Sequence, residues 1–169
     1  MLAQTRITVS IQTDPTGTMA RPNGVGVEIA GGAHDNTIGG TAAGAGNVIS
    51  DNTGTGVVIG SSITDLAAVG NNIRGNSIFD NGGLGIDLGN DGVTANHKSK
   101  PGTGPNHLQD FPVLAVAGSL RNGHTLVKGK LHSIPNTTFT LDFYASATAN
   151  PSGFGEGQRH LGAIVMSQP

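Results

Sequence analysis

Gly26-Val27-Glu28-Ile29 returns as Gly56-Val57-Val58-Ile59 and again as Gly85-Ile86-Asp87-Leu88, with starts 30 and 29 residues apart. A second block recurs with it. Asn47-Val48-Ile49-Ser50-Asp51-Asn52 matches Asn76-Ser77-Ile78-Phe79-Asp80-Asn81. A fixed period of this length is the mark of a repeat architecture, in which each unit buries its apolar side only by stacking on the next. Within a unit, Val27 and Ile29 point one way and Glu28 the other, the alternation of a half-buried strand.

Outward from these blocks, each repeat resolves into three very short strands separated by Gly, Asn, Asp and Ser. Asn36-Thr37-Ile38-Gly39-Gly40 aligns with Asn71-Asn72-Ile73-Arg74-Gly75, with extra residues at 41–46 in the first repeat and at 61–70 in the second. Corners this tight exclude helices and point to an all-β chain. The expected form is a right-handed parallel β-helix of about three turns, stacked at about 4.8 Å. Val27, Val57 and Ile86 then form one interior file, and Ile29, Ile59 and Leu88 another. Asn47 and Asn76 would stack as an asparagine ladder, each amide bonding the next. Three turns are near the minimum for stability, and an open end exposes a strand edge. Further repeats upstream are therefore expected.

Composition narrows the function classes. The chain has 28 Gly, no Cys, nine Lys and Arg, and a net charge of −2. Without a basic cluster, nothing attracts nucleic acid. No apolar run approaches the roughly 20 residues that cross a bilayer, so no membrane insertion is expected. Absence of cysteine excludes disulfides and thiolate metal sites. Residues 6–12 alternate like a strand rather than like a signal peptide, so any export signal would lie outside this sequence.

After residue 92 the period is lost. Residues 1–92 read as β-helix repeats and 93–110 as a polar linker. Residues 111–169 carry strand-like segments spaced like those of a β-sandwich, and at this length the sandwich is expected to be partial and truncated.

Three phrases carry a resemblance to a known group: Ile38-Gly39-Gly40-Thr41-Ala42-Ala43-Gly44-Ala45-Gly46-Asn47-Val48-Ile49-Ser50, Gly83-Leu84-Gly85-Ile86-Asp87-Leu88-Gly89, and Pro135-Asn136-Thr137-Thr138-Phe139-Thr140-Leu141-Asp142-Phe143-Tyr144. They look like the right-handed β-helix repeats of very large bacterial surface or secreted proteins and the immunoglobulin-like sandwich that follows them. The resemblance implies an extracellular or cell-surface location and assigns no activity. In similar sequences the linker is rich in Asp. Here it reads Asn96-His97-Lys98-Ser99-Lys100, which weakens a calcium loop.

Two function classes remain. The first is a non-catalytic structural or adhesive segment whose flat face contacts carbohydrate or a surface protein. The second is a polysaccharide lyase or glycoside hydrolase. For catalysis the candidates are Glu28 and Asp87, outward-facing two turns and roughly 9–10 Å apart, at the upper end of inverting-hydrolase spacing. Val58 between them makes a poor floor for a sugar, and no Arg or Lys shares the column. For a cation such as calcium the candidates are Asp51 with Asp80, and Asp87 with Asp91; at corners such residues more often cap turns. No other cofactor is implied. The six histidines are dispersed, and the Gly-x-Gly stretches lack the following helix a phosphate site needs.

Overall fold

A computed structural model describes residues 21–97 and 102–168, and its chain is all-β. The strand expected at residues 6–12 lies outside the described residues, as do Lys98 and Lys100. Among the described residues, seven strands of three residues come first. They are β1 (Val27–Ile29), β2 (Thr37–Gly39), β3 (Val48–Ser50), β4 (Val57–Ile59), β5 (Asn72–Arg74), β6 (Ser77–Phe79) and β7 (Ile86–Leu88). A short 3₁₀ segment, Pro105–Leu108, follows. Four longer strands follow it among the described residues: β8 (Val113–Ser119), β9 (Thr125–Lys130), β10 (Thr138–Ala145) and β11 (Arg159–Ser167).

The short strands pair in parallel across the repeat. Val27, Val57 and Ile86 are in register through β1–β4–β7, and so are Ile29, Ile59 and Leu88. Ile38 pairs with Ile73 through β2–β5, and Ile49 with Ile78 through β3–β6. One passage of the chain through β1, β2 and β3 is a rung; β4, β5 and β6 make the second; β7 begins a third. The irregular lengths at 41–46 and 61–70 fall in loops between strands, where extra residues cost little.

The core sits between the ladders. Ile29, Ile49, Val57, Ile59, Ala68 and Ile78 form one buried cluster, with Val27, Ile38, Ile73 and Leu88 packed against it. Burying each large aliphatic contributes about 1.5–3 kcal/mol. Ile86 differs from the sequence expectation: it shares the file of Val57 but is 42% exposed. It stands on the last rung of its ladder, with no further strand to cover it.

Glycine is required where the backbone comes hard against a neighbouring segment. At Gly39, with φ 83°, a Cβ would stand 2.2 Å from the Asn76 Oδ1 of the next rung. At Gly60, with φ 80°, it would stand 2.2 Å from Cγ of Pro105.

Residues 93–110 carry many contacts. Asn96 Nδ2 donates to the Phe111 carbonyl at 2.8 Å, and the Phe111 amide returns a bond to Asn96 Oδ1 at 2.9 Å. Buried Asp110 accepts the His97 amide at 2.7 Å. The Asn106 amide donates to the Ala68 carbonyl, which draws the 3₁₀ segment onto the stack.

The C-terminal part consists of two antiparallel hairpins, β8–β9 and β10–β11, in separate two-stranded sheets. Among the described residues after 110, Leu131 is the single buried large aliphatic, while Val113, Leu114, Leu161, Ile164 and Val165 are exposed. The hairpins therefore have no core of their own.

Candidate functional site

The residues singled out from sequence are placed as follows. Glu28, Val58 and Asp87 lie side by side on one face, in consecutive rungs of the β1–β4–β7 ladder. They do not share an environment. Glu28 is exposed, Val58 is fully buried and Asp87 is 4% exposed. Of the two carboxylates expected to face outward, Glu28 alone reaches solvent and Asp87 is buried. Asp87 Oδ2 accepts the Gly92 amide at 3.0 Å because the chain turns back across it, and burial pushes the carboxyl up from its ordinary pKa. A substrate spanning both acids would have to cross a buried valine.

Asp51 and Asp80 are exposed corner residues with φ of 57° and 55°, directly after paired Ser50 and Phe79. Asp51 Oδ2 accepts the Ser50 hydroxyl at 2.7 Å. Left-handed backbone is where Asp and Asn replace glycine, so these aspartates have a conformational role. Asp91 is exposed. Among the described residues no three His, Cys, Asp or Glu side chains are grouped to hold a metal ion.

The asparagines form three ladders. The backbone amide and Nδ2 of Asn47 both donate to Asn76 Oδ1, at 3.0 and 2.9 Å. Asn52 does the same to Asn81 Oδ1 at 3.2 and 2.7 Å, and Asn36 to Asn71 Oδ1 at 3.1 and 2.9 Å. Each lower asparagine returns its Nδ2 to a carbonyl of the rung above: Asn76 to Ile38, Asn81 to Ile49 and Asn71 to Ala33. Sequence reasoning reached the first ladder and missed the others. Their signal was present, since both pairs occupy matched places in the aligned repeats.

A concave surface lies elsewhere, where the loop after β2 meets the β10–β11 hairpin. An open groove of about 300 Å³ is lined by the loop from Gly40 to Val48, by Gly75 and Ser77, and by His160. Beside it is the main charged cluster. Arg74 makes a bidentate pair with Asp142, Nε to Oδ2 at 2.6 Å and Nη2 to Oδ1 at 2.7 Å. His160 Nε2 reaches Asp142 Oδ1 at 3.2 Å, and its ring meets Tyr144 edge-on at 5.1 Å. The Arg74 guanidinium holds the Asp142 carboxyl below its ordinary range, and Asp142 raises Arg74 in turn. Burial pushes the Tyr144 hydroxyl up.

This cluster is chemically self-contained. Arg74 spends its fork on Asp142, and Asp142 spends its oxygens on Arg74 and His160. Ser77 is no activated nucleophile, since its hydroxyl donates to the Gln158 carbonyl at 2.6 Å. The groove is lined by glycine backbone, the Thr41 hydroxyl and the His160 ring, and the Gly40 and Gly75 amides already donate to the Arg74 carbonyl and the Tyr144 hydroxyl. Such a surface can hydrogen-bond a neutral polyhydroxyl or peptide group. No sequence signal points to it, because Arg74 stands in a repeat and Asp142, 68 residues on, in a hairpin strand outside the repeats.

No helix among the described residues is long and apolar enough to cross a membrane. Compared with protein-family models, with curated proteins and with solved structures, the chain matches none.

Proposed function

We propose that the chain is a non-catalytic structural or adhesive segment of a secreted or cell-surface bacterial protein. Its rungs are read as turns of a right-handed parallel β-helix, and its hairpins as part of a β-sandwich completed by other strands. The observation that carries this reading is the parallel register of residues about thirty apart, Val27 with Val57 with Ile86. A stack of this kind gives length and a lateral surface at little cost in sequence. The groove beside His160 is the contact surface, suited to carbohydrate or to a surface protein through neutral hydrogen bonds.

A panel of immobilised glycans tests it. Binding by the intact chain, weakened at least tenfold by Ala42→Trp in the groove wall, is the expected result. A catalytic alternative, polysaccharide lyase or glycoside hydrolase, draws on the raised pKa of Asp87. Release of reducing ends or unsaturated products by the chain, abolished by Glu28→Gln, would replace the adhesive reading with that one.

A further inference from the structure

In all three ladders an asparagine of one rung donates its backbone amide and Nδ2 to a single oxygen of the next rung. At the second rung of the β3–β6 ladder the next strand is missing, yet the donors are met. The Asn81 amide and Nδ2 converge on Glu156 Oε1 at 3.2 and 2.9 Å. This is the same two-donor, one-oxygen arrangement that Asn52 makes with Asn81. Around it, the Ile78 amide donates to the Gly157 carbonyl at 2.9 Å in an antiparallel bridge, and the Gly75 amide to the Tyr144 hydroxyl at 2.9 Å. At the neighbouring corner the Asn71 amide donates to Asn106 Oδ1 at 3.0 Å, and Asn106 Nδ2 returns to the Asn71 carbonyl at 2.7 Å.

We propose that the β10–β11 hairpin is a terminating cap for the stack, in which Glu156 takes the place of the next ladder asparagine and Tyr144 and Gly157 supply the other acceptors of the missing rung. The Arg74–Asp142 pair is the latch that holds this cap in register. An uncovered parallel edge is a template for pairing with other strands, and the cap removes it. A third strand cannot stack below β6 while the hairpin is docked, so the β3–β6 ladder can be extended at its β3 edge alone. This holds whatever the groove binds. Asn106 caps the β2–β5 ladder separately, so the two corners should open independently.

Amide hydrogen exchange on the full chain tests the cap residue by residue. In Glu156→Ala the Asn81 amide should exchange at least tenfold faster, while Val57 and Asn71 amides keep their wild-type rates. Glu156→Gln, which keeps an acceptor oxygen but not the charge, should stay within about threefold of wild type. Unchanged Asn81 protection in Glu156→Ala would overturn the proposal. So would equal loss in Glu156→Gln, since the negative charge rather than the ladder geometry would then be what matters. Asp142→Ala provides the second variant: it should speed exchange at Gly75, Ile78 and Asn81 together, and exchange at Asn81 no faster than in wild type would contradict the latch.

Discussion

The stack and the hairpins are both β structure, but they are held by different forces. In the stack, Ile49, Val57, Ile59 and Val58 are fully buried within three-residue strands. In the hairpins, strands of six to nine residues carry exposed Val113, Leu114, Ile164 and Val165. Strand length is therefore no guide to where the core lies. Three residues suffice when the next rung covers them, and nine do not when no second sheet does. The hairpin β10–β11 is ordered instead by polar contacts to the stack: Arg74 with Asp142, Gly75 with Tyr144, and Asn81 with Glu156.

The contrast can be broken at its strongest point by truncating the core. Ile59→Ala should cost about 2–5 kcal/mol, read as a fall in the urea midpoint of the whole chain. A cost under about 1 kcal/mol would mean that the files are not packed. Asn76→Ala comes next. It removes the oxygen to which the Asn47 amide and Nδ2 both donate in a buried site, which costs about 1–3 kcal/mol, and urea titration checks it.

Acidification separates the latch from the core. Asp142 has a folded-state pKa below its unfolded value, so its stabilisation is complete above the ordinary aspartate value of about 3.9 and disappears as pH falls through the lowered value. Wild type should lose more stability than Asp142→Asn across that range. Equal slopes would show that the pair is not formed. Asp87 has the opposite sign. Its folded pKa is raised, so its contribution declines as pH rises from the ordinary value through the raised one. Asp87→Asn should show a shallower loss on that side and be at least as stable as wild type at neutral pH. The smallest effect belongs to the hairpin surface. Val165→Ser, at a position 69% exposed, should fall within about 0.5 kcal/mol of wild type.

How much of this was legible depended on distance along the chain. The repeated Gly-Val-Glu-Ile block gave the pairing of Val27, Val57 and Ile86, because stacking of equivalent segments converts sequence period into spatial register. Asn52 with Asn81 and Asn36 with Asn71 are equally open to that logic, but Asn is so common in turns that its presence there does not by itself mark a ladder. The burial of Asp87 was not legible. Its place in the alternation points outward, and the chain's return at Gly92 has no counterpart in the repeat. Glu156 and Asp142 were beyond reach for a different reason: they act on repeats to which they have no sequence relation, through docking of one hairpin.

The central claim is that chain segments about thirty residues apart lie directly on one another in parallel. Methyl–methyl NOEs on a sample labelled at Ile and Val test this most directly. The account predicts strong cross-peaks for Ile49–Ile78, Val27–Val57 and Ile29–Ile59. A dispersed spectrum lacking all three, with contacts instead between neighbours in sequence, would contradict it.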